Sequence, residues 1–161
     1  MIFVTVGTQK FQFNRLLKEI DELVEQGLIE DVIAQIGNSD YIPKSYEFCR
    51  FMEKEEHINC IRECDLLITH CGVGTIVEGL KYKKPIIVYP RLKKFGEHVD
   101  DHQFEIAYSF GELNYVIVKD ENESLTSQIE MALEHEFSMF YSNQKQIQSM
   151  INVYINKIFS V

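Results

Sequence analysis

Six short apolar runs, each of four to six residues, alternate along the chain with longer stretches of helical periodicity. Ile2 to Val6, Asp31 to Ile36, Tyr46 to Phe51, Asp65 to Thr69, Ile86 to Tyr89 and Tyr115 to Val118 are rich in β-branched and aromatic residues. They are too short for helices and read as strands. Phe13 to Gln26 places Leu16, Leu17, Ile20, Leu23 and Val24 on one helical face, with Asn14 as N-cap and Gly27 as stop. Glu53 to Cys64, Gly72 to Leu80 and Glu97 to Phe110 continue the alternation as helices, the last carrying Phe104, Ile106, Ala107 and Tyr108. Asn122 or Ser124 caps a further helix whose inner face holds Leu125, Ile129, Ala132 and Leu133. Such a pattern specifies an α/β fold, a Rossmann-like doubly wound parallel sheet of about six strands with right-handed crossovers. Ligands of these sheets bind beyond the carboxyl ends of the strands, where the turns after Val6 and Thr69 fall.

The second of those turns, Cys71-Gly-Val-Gly-Thr75, carries the most chemistry. Its glycines let backbone N–H groups approach a ligand without Cβ interference. A helix starting there presents unpaired donors and a partial positive charge, suited to a diphosphate. Glu78, about one helical turn on, is placed to accept hydrogens from two vicinal hydroxyls, so phosphates plus diol describe a nucleotide-sugar. A glycine-relieved turn followed by a solvated Glu satisfies the same spacing. The motif is not the dinucleotide fingerprint, because Val77 stands where the third glycine belongs, and no Gly-x-x-x-x-Gly-Lys loop exists. Downstream, Gly96 to Ala107 gathers His98, Asp100, Asp101, His102 and Gln103 at another strand's carboxyl end. His102 and Gln103 offer donors and acceptors for sugar hydroxyls; a polar helix start capped by Asp100 or Asp101 is the plainer reading.

Composition narrows the classes. A chain of 161 residues reads as one globular domain (residues 1–140) with a C-terminal amphipathic helix over 141–161. In that tail Ile147, Ile151, Tyr154 and Ile158 form a narrow apolar stripe, packing on the sheet or on a partner. The net charge of −9 argues against nucleic acid as a partner. No window is long and apolar enough to span a bilayer, and Met-Ile-Phe-Val-Thr-Val reads as a first strand and not a signal peptide, so a cytoplasmic location is expected. Cys49, Cys60, Cys64 and Cys71 are expected as free thiols, and with His57 and His70 they lack the tight pairs of structural zinc sites; no metal is expected. The run from Lys81 to Lys94, with Lys83, Lys84, Arg91 and Lys93 and no acid, reads as solvated surface or as a face for anionic headgroups.

Taken together, His70-Cys-Gly-Val-Gly-Thr-Ile-Val-Glu78, Lys84-Pro-Ile-Ile-Val-Tyr-Pro90 and Glu97-His-Val-Asp-Asp-His-Gln103 resemble the donor-binding, C-terminal half of GT-B glycosyltransferases of family 28. Within that family the chain is similar to the stand-alone subunits, those of bacterial exopolysaccharide pathways and of the eukaryotic dolichol-linked N-acetylglucosamine transferase. The resemblance runs from Met1 to about residue 120, Val4-Thr-Val-Gly-Thr8 included. It implies that Gly72, Val73, Gly74 and Thr75 hold the donor diphosphate with Thr8 lining the site, and that Glu78 binds the ribose. It implies further that His102 and Gln103 contact the transferred sugar and that Phe51 and Met52 flank the uracil. Cys71 stands where small residues are usual.

The implied reaction is inverting hexosyl transfer from a UDP-sugar to a lipid-diphosphate-linked sugar in exopolysaccharide or capsule synthesis. Backbone N–H groups and the helix dipole would stabilise the leaving group without a cofactor or an essential metal. In two-domain relatives the general base belongs to the other half. A membrane-attached acceptor-binding subunit is therefore the expected partner, holding this chain at the inner face of the membrane. The isolated chain could pair as a homodimer. A non-catalytic nucleotide-sugar-binding subunit is the alternative; a non-hydrolysing epimerase would need two halves in one chain. The transferred sugar stays open among galactose, glucose, glucuronate and N-acetylglucosamine.

Overall fold

The computed structural model describes residues 1–141. The apolar stripe of the tail, and with it the helix expected over 141–161, lies outside the described residues. Twelve elements follow in order: β1 (Ile2–Thr5), α1 (Asn14–Glu25), β2 (Val32–Gln35), β3 (Glu47–Cys49), α2 (Lys54–Glu63), β4 (Leu66–Thr69), α3 (Val73–Lys81), β5 (Ile86–Val88), a 3₁₀ turn (Lys93–Phe95), α4 (His102–Glu112), β6 (Ile117–Val118) and α5 (Leu125–Glu134). All six strands are parallel, in the order β3-β2-β1-β4-β5-β6. The strand order reverses between β1 and β4, which opens a crevice at their carboxyl ends.

The register explains why the strands are apolar throughout. Phe3 pairs with Leu67 and Val4 with Ile68, so successive residues alternate between two faces. Val4, Ile68 and Ile87 pack under Leu16, Leu17 and Ile20 of α1 and Leu125, Ile129 and Ala132 of α5. Phe3, Leu67 and Ile86 pack under Ile61 of α2, Ile76 and Leu80 of α3 and Ala107 and Phe110 of α4. With both faces covered, no polar alternation is possible in the central strands.

Helix ends show where local patterning was overruled. Gly27, at φ +68°, closes α1 in a Schellman arrangement, with Leu28 N–H donating to Leu23 O and Gly27 N–H to Val24 O. Asn14 does not cap α1: Phe13 holds that position, and Asn14 Oδ1 accepts instead from the N–H groups of Asp40 and Tyr41. The helix expected from Glu97 begins only at His102, because Glu97 is drawn into the interior by Arg15. Asp101 sits at the N-cap of α4, yet its carboxylate accepts from Lys93 N–H and caps nothing. Ser124 does cap α5, accepting from Ser127 N–H at 3.1 Å. Leu133, placed by pattern on the inner face, is exposed.

Gly79 lies where α3 presses closest to the sheet: a Cβ there would stand 2.8 Å from Leu67 Cδ2 and 2.9 Å from Ile86 Cδ1. Both neighbours are fully buried. Gly79→Ala is therefore expected to destabilise the domain by about 1–3 kcal/mol in urea unfolding, although alanine is the better helix former.

Candidate functional site

The crevice is built on three turns, those following β1, β4 and β5. Val6 and Gly7 leave β1, with Gly7 at φ +75°. His70, Cys71 and Gly72 link β4 to α3, and Gly72 is the N-cap of that helix. Between the first two turns stands the imidazole of His70. A Cβ on Gly7 would lie 2.5 Å from His70 Cε1, and one on Gly72 would lie 2.5 Å from His70 Nε2. Each glycine is thus required by the ring beside it. His70 Nδ1 lies 3.4 Å from Thr69 Oγ1, and burial together with the Arg91 charge pushes the imidazole down to about 4. The ring is neutral at physiological pH.

A second buried group joins the turns. Arg91, just beyond β5, was expected among surface lysines but is fully buried. Its Nη2 donates to Val6 O at 2.6 Å, and its Nη1 to Phe11 O, Gln12 O and Glu97 O at 2.9, 3.1 and 3.2 Å. The Glu97 carboxylate in turn accepts from Arg15 Nε and Nη2 and from Leu92 N–H. Burial lowers the Arg91 pKa to about 10, which leaves the guanidinium charged. A fixed cation therefore floors the crevice. Below the β1 turn, Thr5 Oγ1 donates to Gln35 Oε1 at 2.6 Å and lies 3.1 Å from His57 Nε2, while Gln35 Nε2 donates to Gly7 O.

The expected diphosphate residues do come together at this edge. No side chain caps α3, so the N–H groups of Val73, Gly74 and Thr75 in its first turn have no partner within the helix. Gly72 contributes shape and no donor, since its N–H is spent on His70 O at 2.8 Å. A Cβ on Gly74 would meet nothing within 4 Å, so nothing in the protein demands glycine there and its absence leaves room for an approaching group. Thr8 is exposed on the β1 turn. Glu78 is half-buried on α3, its Oε2 accepting from Lys81 Nζ at 3.0 Å.

Other expected residues are more dispersed. Phe51 is half exposed beyond β3, whereas Met52 packs against the core beneath α2 and α3. His102 is the first residue of α4. Gln103 is buried, with Oε1 accepting from Arg91 N–H at 3.3 Å. Cys71 belongs to the core, and burial lifts its thiol to about 12. Among the described residues no group of three or more His, Cys, Asp or Glu is arranged to hold a metal ion, and no helix is long and apolar enough to cross a membrane.

His70 and Arg91 are the residues of the candidate site that pattern reading does not single out. His70 was marked only by its place before the glycines. Arg91 was hidden in a basic run, and nothing local distinguishes it from its lysine neighbours.

Residues 1–156 match the family described as the glycosyltransferase family 28 C-terminal domain. Similar curated proteins include the UDP-N-acetylglucosamine transferase subunit ALG13 of Mus musculus, 29% identical over 113 residues that make up 65% of this chain and 9% of that protein. The protein of the same name from Candida albicans is 44% identical over 57 residues, 35% of this chain and 18% of its own length. The chain thus spans less than a fifth of either relative. In fold, it superposes on the solution structure of ALG13 with a TM-score of 0.58 at 21% identity, covering 92% of this chain and 93% of that one. A crystal structure of the glycotransferase of kitacinnamycin gives 0.59 at 17% identity, over 96% of this chain and 38% of the other.

The neutral state of His70 has a measurable cost in acid. The unfolded chain binds this proton near the ordinary histidine range, the folded one only near pH 4, so stability falls as pH drops through that window. Between pH 7 and pH 5 the His70 contribution is about 2 kcal/mol, and His70→Gln should remove that part of the pH dependence in urea titrations.

Proposed function

The chain belongs to the glycosyltransferase family 28 C-terminal domain, and on that premise we propose that it is the donor-binding subunit of an inverting UDP-sugar-dependent hexosyltransferase. The observation that carries the reading is the uncapped start of α3 at the sheet's switch point, with Glu78 one turn along the same helix. The first-turn N–H groups are suited to the phosphate oxygens, and Glu78 to the ribose hydroxyls once it turns from Lys81. UDP-N-acetylglucosamine is the first donor to try, given the relatives' names.

In the proposed reaction an acceptor hydroxyl oxygen attacks the anomeric carbon as its bond to the β-phosphate oxygen breaks, and UDP departs with inversion. Charge gathering on the diphosphate meets N–H dipoles and the field of buried Arg91, both fixed before the reaction begins. These groups stand in for a metal ion, so chelators should leave transfer intact. His102 and Gln103 contact the sugar. Gln103 offers its amide nitrogen and the second lone pair of Oε1, the first being taken by Arg91 N–H. In this reading Thr8 lines the site and Phe51 and Met52 flank the uracil. The general base comes from a separate acceptor-binding subunit, which also brings the chain to the membrane and to a lipid-diphosphate-linked sugar. Exopolysaccharide assembly is the proposed setting, on sequence resemblance alone.

Two measurements test this. Glu78→Ala removes charge-assisted hydrogen bonds and should weaken UDP binding about tenfold or more in calorimetry; unchanged affinity rejects the ribose role. Transfer to a lipid-linked sugar should require co-expression with a membrane-attached partner, and full activity of the isolated chain would contradict the divided site.

A further inference from the structure

The segment between β5 and α4 does more than link them. Because Arg91 donates to Val6 O and to Glu97 O at once, the backbone at Glu97 is held against the turn that follows β1. The next residue, His98, packs against Phe11 of that neighbouring loop in a tilted contact, ring centroids 5.1 Å apart at 47°. Its Nδ1 lies 3.0 Å from Asp100 Oδ1. Nδ1 and the Phe11 contact hold the ring in place and so direct the remaining nitrogen. Among the described residues Nε2 has no hydrogen-bond partner.

The charges around His98 can be read from each packed element. On its own loop Asp100 faces it, while the Glu97 carboxylate is taken by Arg15 and Leu92 N–H and Asp101 by Lys93 N–H. From the loop after β1 comes Lys10, its Nζ 5.7 Å from the centroid of the same Phe11 ring. Beneath lie the Arg91 guanidinium and the neutral His70. The Arg91 Nη1 and Nη2 donate to carbonyl oxygens, while its Nε is buried and has no hydrogen-bond partner among the described residues.

We propose that His98 is a phosphate-binding residue whose protonated ring, backed by Asp100 and packed on Phe11, donates through Nε2 to the terminal phosphate of the nucleoside diphosphate seated on the 72–75 turn. The inference rests on the diphosphate reading of that turn. It adds a side-chain donor to a site whose other donors are backbone N–H groups, and it places the recognition on the phosphate and not on the nucleoside. With Nδ1 facing Asp100 Oδ1, Nε2 donates only when the ring carries both protons, so the contribution grows as pH falls. Asp100 supports the charged ring without entering the phosphate's own shell.

The test compares wild type, His98→Gln and His98→Lys in calorimetric titrations with UDP and with uridine at pH 6 and pH 8. At pH 6 the Gln variant should bind UDP about tenfold or more weakly than wild type, with the ratio shrinking at pH 8 and uridine affinity unchanged. The Lys variant should keep most of the UDP affinity at both pH values, which also shows that the loop tolerates replacement. Equal UDP affinity of wild type and the Gln variant at both pH values would overturn the role of His98 while leaving the turn's assignment standing. Failure of wild type to bind UDP at all would remove both. A Gln variant that loses uridine and UDP alike would mark His98 as structural and reject the proposal.

Discussion

A buried guanidinium holds the functional edge of this protein together. Taking an isolated cation out of water costs several kcal/mol, and it survives only where carbonyl and carboxylate oxygens surround it. Arg91 meets that condition with four backbone carbonyls drawn from the β1 turn, the loop before α1 and its own loop. Glu97 sits close enough to balance part of the charge while also holding Arg15. Deleting the guanidinium would leave those carbonyls dry and unpaired, so the three loops are bound to one another's positions.

His70 works from the same edge in the opposite sense. It is a polar ring kept uncharged, filling the space that two glycines vacate. Arg91 and His70 together give the crevice a rigid floor carrying a single positive charge, and the uncapped start of α3 adds dipole of the same sign. For the proposed diphosphate, these positive groups are in place before any ligand arrives.

Much of this was legible in the chain and some was not. The strands announced themselves as apolar runs because both faces of the sheet are covered, and the switch point followed from their alternation with helices. The glycine turn was legible because left-handed or crowded backbone leaves few residues to choose from. What escaped were residues whose role depends on distant partners. Glu97 looked like the first acid of a helix, yet Arg15, 82 residues earlier, pulls it inside. Arg91 looked like one more surface cation. Asn14 looked like a cap, and its carbonyl oxygen serves a loop 26 residues away. Leu133 carried the inner-face spacing of its helix but stands in solvent. For Glu97, Arg91 and Asn14, tertiary contacts outweighed a weak local preference.

The bond from Arg91 to Val6 joins positions 85 residues apart. A nascent chain that has emerged from the ribosome only through α3 already owns its glycine turn and Glu78. It still lacks the clasp that shapes the opposite wall. The two walls of the proposed site are therefore joined only after β5 and its loop have been synthesised. A fragment truncated before position 91 keeps the glycine turn but loses the side chain that ties the loop after β5 to the turn after β1.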